Sequence, residues 1–239
     1  VDEDGGDIRA RTFRWAAYAQ DEFKINANWS AYTGLRYESI LTEGTSEQGL
    51  KSNTSSVWTP ILHTLWKPDP SKRDQVRMSL TRSYRTPTLH NLMARPVSSG
   101  EVISRPTRPD RIGNPDLRPE LATGVDIAVE RYLADGGVLS ANLFRRNISD
   151  LIRYVTIERY DTLWAPGQRR FVSSPQNVGD AITQGLELEA KFRLNQVWST
   201  APAVDVRSNL SVFGSRVLDV MGPNNRLDQQ PSMTANLGA

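Results

Sequence analysis

Residues 186–195 read LELEAKFRLN, and their side chains alternate strictly between apolar and polar. One set consists of Leu186, Leu188, Ala190, Phe192 and Leu194, and the other of Glu187, Glu189, Lys191, Arg193 and Asn195. Because successive side chains of a β-strand point to opposite faces, the segment predicts a strand with one apolar and one charged face. A soluble sandwich seldom keeps its outer face this charged for this long, whereas a transmembrane barrel needs lipid contact outside and water inside.

The same alternation recurs along the chain and predicts a meander of strands. Further strands are predicted at about residues 13–23, 29–40, 56–67, 121–133 and 204–214, with others starting near 76 and 138 and a last piece at 232–239. The connections alternate between short (24–28, 68–72, 134–137, 195–203) and long (42–55, 85–118, a stretch up to about 179, 217–230). Outer-membrane barrels have this asymmetry, with short turns at one end and long loops at the other. We therefore predict an all-β fold, an antiparallel up-and-down meander that is part of a transmembrane β-barrel.

The two faces of the predicted wall have different expected surroundings. We expect the set that begins with Leu186 to face lipid and the set that begins with Glu187 to face the lumen. Tryptophans at 15, 29, 58 and 66 lie near predicted strand ends, where interfacial aromatic girdles sit, although a packed core is the alternative for each of them.

Composition limits the class of protein without deciding it. The chain of 239 residues is long enough for one large domain or two small ones. It has no Cys, which excludes disulfides and zinc–thiolate sites. Mean hydropathy is -0.49 and no run of 18 apolar residues occurs, so no transmembrane helix is predicted. Membrane-spanning β-strands are not detected by this criterion. A net charge of +2 gives no reason to expect a nucleic-acid partner.

The sequence contains no recognisable catalytic or cofactor motif. Phosphate loops, dinucleotide fingerprints and zinc-protease motifs are absent, and His63 and His90 lack metal-site spacing. Glu187 and Glu189 could mimic a glycosidase pair, but solvated carboxylates on a barrel wall are the favoured interpretation. We predict no enzyme, no cofactor and no metal site.

Several phrases in this chain carry a family resemblance. They are YAQDEF (18–23), GLRYE (34–38), YRTPTL (84–89), NPDLRPE (114–120) and NVGDA (177–181) followed by GLELE (185–189). In this order they resemble the barrel of TonB-dependent outer-membrane receptors, over about residues 13–239. The prolines Pro87 and Pro119 suit strand ends and loops, so we interpret the two proline boxes as structural.

The resemblance implies an architecture and a function. It implies a 22-stranded barrel filled by an N-terminal plug, with residues 1–239 as the central part of the barrel and the plug domain and last strands absent. It also implies energised uptake of a scarce solute, with a ferric siderophore as the first expectation, in the outer membrane of a Gram-negative bacterium. The implied partners are the small-molecule substrate, the TonB complex through the missing N-terminal part, and outer-membrane lipid and lipopolysaccharide.

Two long connections supply the candidate ligand-binding residues. The candidates are Arg95, Arg105, Arg108 and Arg111 in the longest connection, and Tyr160, Trp164, Arg169 and Arg170 in the next long loop. Guanidinium groups suit carboxylate, catecholate or phosphate ligands, including anionic ferric siderophores. Ordinary loop solvation, or contact with lipopolysaccharide phosphates, is the alternative.

Other functions stay open from the sequence. Haem receptors of this family carry a His between the two boxes, and His90 lies there, although only three residues after Pro87. Cobalamin and oligosaccharide are further ligands within the family. Outside it, a passive porin or a structural surface barrel such as an adhesin would show the same strand pattern.

Overall fold

A computed structural model describes residues 9–46, 49–93, 96–101, 104–218 and 225–239. The strands in this part of the chain are β1 (Arg9–Lys24), β2 (Trp29–Ser46), β3 (Gly49–Trp66), β4 (Gln75–Arg85), β5 (Asp110–Arg111), β6 (Glu120–Tyr132), β7 (Val138–Ser149), β8 (Ile152–Arg159), β9 (Arg170–Asn177), β10 (Ala181–Arg193), β11 (Asp205–Val217) and β12 (Met233–Gly238). Two short helices, α1 (Leu89–Met93) and α2 (Leu194–Val197), and a 3₁₀ turn (Ala134–Gly136) complete the described elements.

Nine of the described strands form one antiparallel sheet, in the order β1-β2-β3-β4-β6-β7-β10-β11-β12. Each strand pairs with the next one along the chain, except that β5, β8 and β9 leave the wall and form a separate small sheet, in which β5 is parallel and β8 antiparallel to β9. The prediction of an all-β antiparallel meander is confirmed.

The register of the wall separates two faces. Met78, Ile127, Leu143, Leu186 and Val212 are linked by successive cross-strand pairings and form one apolar row. The next positions along these strands point to the other side of the sheet. They carry polar groups and line a cavity there. We call the face of the apolar row the outer face and the other the inner face. A water-filled lumen inside and an apolar surface outside is the arrangement that a barrel wall requires.

Two groups of aromatic rings lie at different heights on the wall. Trp29 stacks on Trp66 beside the short turns, with ring centroids 5.9 Å apart. Tyr37 contacts Trp15 and Trp58 further along the strands, with centroids 5.0 and 4.7 Å apart. Trp29 and Tyr37 are separated by about 27 Å along β2, which at a strand tilt of about 35–45° is about 19–22 Å along the barrel axis, within the apolar band of about 25 Å in such barrels.

The polar stretch 42–55, predicted as a long loop, is a continuation of two strands. β2 runs on to Ser46 and β3 starts at Gly49, and their pairing continues through Thr42 opposite Asn53. Both faces of this stretch are polar, so the sequence shows no alternation of apolar and polar residues there. The backbone hydrogen bonds between β2 and β3 do not need an apolar face where the strands extend beyond the wall.

Leu194 is also placed differently from the prediction, because β10 ends at Arg193. Leu194 begins α2, where the Arg193 amide donates to Gln196 Oε1 at 2.8 Å and the Trp198 amide donates to the Leu194 carbonyl at 2.9 Å. This helical turn removes Leu194 from the outer face of the strand.

A wall one sheet thick has little room for a core, and buried apolar side chains gather at the long-connection end. Leu92 and Met93 of α1 pack with Leu117, and Ile152 covers this cluster. Gly44 permits the contact, since a Cβ there would lie 3.0 Å from the Met93 sulfur. Among the residues described, no helix is long and apolar enough to cross a membrane.

Candidate functional site

The two long connections that contain the predicted ligand-binding residues meet in one unit. We define the loop cluster as the described parts of the β4–β6 connection (86–93, 96–101 and 104–119) together with the β7–β10 connection (150–180). β5 from the first connection pairs in parallel with β9 from the second, and the Ile112 amide donates to the Ser173 carbonyl at 3.2 Å. Ser104 Oγ accepts from the Phe171 amide at 2.6 Å. The structure therefore brings both groups of candidates onto one scaffold.

A buried ion pair lies at the centre of the loop cluster. Asp110 is fully buried and Arg170 is 3% exposed. Arg170 donates from Nε to one carboxylate oxygen of Asp110 and from a terminal nitrogen to the other, both at 2.7 Å. Further donors complete the shell of Asp110, because the Trp164 indole and the Ser99 amide each approach at 2.8 Å.

These contacts fix the charge state of Asp110. Burial by itself would raise the pKa of this carboxyl group, but the hydrogen bonds from Arg170, Ser99 and Trp164 outweigh it and hold the pKa well below its usual range. Both residues are charged, and their charges cancel. The centre of the loop cluster is therefore a hydrogen-bonded ion pair with no net charge.

Arg170 braces loop segments rather than facing solvent. Its guanidinium also donates to the Glu101 carbonyl at 2.8 Å and to Ser98 Oγ at 3.1 Å. Trp164 is half-buried and shares the same carboxylate. Direct contact of either residue with a ligand stays a prediction, but the geometry gives both a role in holding the loops together.

Four other candidate arginines are exposed on the surface of the loop cluster. Arg105 and Arg108 are 75% and 69% exposed at their side chains, and they share the single carboxylate of Glu101 at 3.6 and 3.4 Å. Arg111 extends from β5 next to Asp110, and Arg169 lies over the Phe171 ring at 5.7 Å. We call Arg105, Arg108, Arg111 and Arg169 the arginine surface. Arg95 lies outside the described residues.

Tyr160 is 56% exposed and adds a phenol beside this surface. Its hydroxyl donates to Glu158 at 2.7 Å, and this hydrogen bond raises the pKa of Tyr160. The phenol is therefore held protonated at neutral pH, as a donor and an aromatic face rather than an anion.

Asparagine side chains fasten the base of the loop cluster to the wall. Asn53 on β3 donates to the carbonyls of Pro115 and Leu117 at 2.7 and 2.9 Å. Asn177 donates to Arg118 and Asp150 carbonyls at 3.0 and 2.7 Å and accepts from the Arg118 amide at 2.9 Å. The residues of the NPDLRPE box are thus engaged in loop anchoring, in agreement with their structural interpretation.

Sequence reasoning missed the importance of Asp110 and Asn53. In the sequence Asp110 is one acidic residue among many arginines, and its partner Arg170 lies 60 positions away. An aspartate amid an arginine excess was a signal of pairing, but nothing local indicated which arginine it meets.

The inner face forms a second polar surface, with a cavity of about 1020 Å³. Its carboxylates are Glu22, Asp126, Glu130, Glu187 and Glu189. Several are hydrogen-bonded across strands, as Asn142 is to Glu187 at 3.0 Å, and Arg77 pairs with Glu130. His63 meets Ser79 Oγ at 2.7 Å, and no cluster of three metal-ligating side chains occurs in the part of the chain described. The predicted lumenal placement of Glu187 and Glu189 agrees with this surface.

The wall and the loop cluster together define a class of protein. A meander with an apolar outer face, a polar inner face, short turns at one end and a structured loop cluster at the other is a segment of a transmembrane β-barrel of the outer-membrane type. The family described as "TonB dependent receptor-like, beta-barrel" matches residues 4–239. The chain belongs to this family.

Solved structures with the same fold are similar over nearly the whole chain. The ferric citrate transporter FecA has a TM-score of 0.67 and 20% identity, over 98% of this chain and 31% of that one. The siderophore receptor PiuA from Acinetobacter baumannii has a TM-score of 0.60 and 16% identity, over 97% and 31%. The alcaligin outer-membrane receptor FauA from Bordetella pertussis has a TM-score of 0.59 and 14% identity, over 96% and 34%.

These similarities establish the fold and its extent. This chain spans roughly a third of each of these three structures, at 31–34% of their lengths. No curated protein matches the sequence.

Proposed function

We propose that this chain is part of a receptor in the outer membrane of a Gram-negative bacterium that takes up a scarce anionic solute, a ferric siderophore. The arginine surface carries this proposal, because it presents exposed cations on a braced scaffold at the long-loop end of a receptor barrel. Family membership favours a receptor over a passive porin or a structural barrel, and the similar structures include proteins described as ferric citrate, alcaligin and siderophore transporters or receptors.

Capture follows from charge and preorganisation. Arginine donates paired hydrogen bonds to carboxylate or catecholate oxygens, and clustered cations raise the association rate of an anionic ligand. The Asp110–Arg170 pair holds both connections in place before the ligand arrives, so less ordering entropy is lost on binding. The ferric ion is cargo in this scheme, and its ligands come from the siderophore.

Uptake then needs a path and an energy source. The polar inner face supplies a hydrated surface along the barrel axis, and it is the side on which a plug would lie. We propose that the TonB complex energises release through parts of the receptor that precede this chain.

A ligand panel tests the proposal. The full receptor is offered ferric siderophores of carboxylate, catecholate and hydroxamate types, with haem, cobalamin and a maltodextrin for comparison, and binding is measured calorimetrically. We expect saturable binding of one ferric siderophore class and restored growth under iron limitation. The siderophore assignment would be overturned if the receptor bound haem and lost that binding in His90→Ala. It would also be overturned if the receptor bound only cobalamin or only the oligosaccharide.

A further inference from the structure

The wall divides between β3 and β4 on the side of the long connections. The pairing of these two strands ends at Ile61 opposite Thr81, well before either strand ends. Pro60 is the next position of β3 and has no N–H to donate, so the ladder stops there. Residues 49–60 of β3 pair with β2 on one side and have no strand partner on the other within the described chain.

Alternate residues of this free edge direct their backbone groups into the gap. The Lys67 amide donates to the Asn28 carbonyl at 2.8 Å, so the odd-numbered residues of β3 are those that hydrogen-bond to β2. The backbone groups of Ser52, Thr54 and Ser56 therefore point away from β2. These groups have no hydrogen-bond partner among the residues that the structure describes.

The segment on the far side of the gap does not complete the ladder. Residues 115–119 of the NPDLRPE box and residues 52–57 of β3 line a cavity of about 450 Å³. Pro115 and Pro119 have no N–H, and two carbonyls of the box accept from the Asn53 side chain. The box therefore bounds the gap without using the backbone groups of the free edge.

The free edge lies beyond the aromatic rings of the wall, on the side of the long connections. Trp58 contacts Tyr37, with ring centroids 4.7 Å apart. Thr54 is four residues further along β3, which corresponds to about 13 Å. The side chains of Ser52, Thr54 and Ser56 are exposed, small and uncharged. A polar chain in water can reach this edge, whereas lipid hydrocarbon does not match its chemistry.

The backbone chemistry of the edge defines what can occupy it. Its N–H and C=O groups recur at every second residue, about 6.5–7 Å apart, and another extended polypeptide carries complementary groups at the same spacing. Exposed edges are usually shielded by Lys or Pro, or are covered by another element. Positions 52, 54 and 56 carry neither Lys nor Pro.

One acidic group beside the gap lacks a counter-charge. Asp116 lines the cavity, is exposed and forms no ion pair in the part of the chain that is described. Its neighbour Arg118 is already paired with Asp150, at 2.6 Å. A basic side chain on an inserted segment would therefore complement Asp116.

We propose that this gap is a docking site for an extended segment of another protein outside the cell. The segment adds to the sheet as a strand that pairs with Ser52, Thr54 and Ser56, and it places a basic side chain near Asp116. The site is separate from the arginine surface that we assign to the transported ligand. It rests on the proposed outer-membrane location but not on the identity of that ligand.

A proline substitution tests the backbone pairing. Thr54→Pro removes one donor of the free edge but no hydrogen bond between β2 and β3, because Thr54 points away from β2. Thr54→Val keeps the N–H and is the matched control. The probe is a fluorescent seven-residue peptide of alternating threonine and valine with a central lysine, and its binding to the full receptor is measured by fluorescence anisotropy.

We expect saturable binding to the parent and to Thr54→Val. Binding to Thr54→Pro should be about fivefold weaker, since one net hydrogen bond corresponds to a factor of roughly 2–10 in affinity. Asp116→Asn should weaken binding about twofold at low salt, because an exposed charge pair contributes little. The same peptide with every amide N-methylated cannot donate from either edge and should not bind.

Hydrogen exchange of the full receptor without peptide tests whether the edge is open. The amides of Thr54 and Ser56 should exchange at least about tenfold faster than those of Asn53 and Ser55, which hydrogen-bond to β2. Addition of the probe peptide should slow the exchange of Thr54 and Ser56. Equal protection of all four amides without peptide would show that another strand already covers the edge and would overturn the site.

The binding outcomes separate this site from the transport function. Absence of saturable binding to the parent overturns the site, as does equal binding to Thr54→Pro or of the N-methylated peptide. Siderophore binding in the same preparations is expected to be equal in the parent and in Thr54→Pro. Its absence from the parent would count against the proposed function and leave the peptide measurement readable.

Discussion

The wall and the loop cluster are specified by the chain in two different ways. The wall is held by backbone ladders that pair each strand with its neighbour, and its side chains only need to alternate in polarity. The two connections of the loop cluster are joined by the short β5–β9 pairing and by a small number of side-chain contacts between residues far apart in sequence, above all Asp110 with Arg170. Damage to the wall should therefore depend on which face is changed, and damage to the loop cluster on which partner is lost.

The largest expected effect is on the loop cluster, from Asp110→Ala. The change removes the carboxylate that faces the buried guanidinium of Arg170, and the loss of one partner of a buried ion pair costs about 3–5 kcal/mol in such cases. We expect the amides of β5 and β9 to lose hydrogen-exchange protection while the amides of β6 and β7 keep theirs. Asp161→Ala removes an exposed partner of Arg159 elsewhere in the loop cluster and serves as the matched control, with little change expected. Full hydrogen-exchange protection of the β9 amides in Asp110→Ala would show that the Asp110–Arg170 pair does not hold the loops together.

The next effect distinguishes the two faces of the wall. Leu188→Arg places a charge on the outer face, which costs about 2–4 kcal/mol at mid-membrane, whereas Glu189→Arg changes a residue of the inner face. We expect a marked loss of heat-resistant folded barrel on gels for Leu188→Arg and little loss for Glu189→Arg. Similar losses from the two neighbours would show that the assignment of faces is wrong.

A smaller effect concerns pH. Because the pKa of Asp110 is lowered in the folded protein, its contribution to stability is fully present above the unfolded-state pKa of about 3.9 and declines as the pH falls below it. Hydrogen-exchange protection of β9, corrected for intrinsic rates, should stay constant from neutral pH down to about pH 4. A decline that begins near pH 6 would mean that another group controls the loop cluster.

The difference between the wall and the loop cluster also decides how well each of them could be predicted from the sequence. Alternation placed the strands of the wall and their order, since a period of two is visible in any window of ten residues. It failed at residues 42–55, where both faces are polar although the ladder continues, and at Leu194, where Gln196 closes a helical turn. Arginine excess drew attention to the two long connections, but it did not separate buried Arg170 from exposed Arg169. That distinction depends on the position of Asp110, which only the folded chain reveals.

Capture by the arginine surface is tested most directly by the rate at which the identified ferric siderophore associates with the full receptor at two ionic strengths. The variant Arg105→Ala/Arg108→Ala/Arg111→Ala removes three members of the arginine surface and leaves the Asp110–Arg170 pair intact. We expect association roughly tenfold slower than for the parent at about 0.01 M salt, and a smaller difference at about 0.15 M, where charges are screened beyond about 8 Å. Barrel assembly should be unchanged. Identical association rates for variant and parent at low salt would contradict capture by the arginine surface.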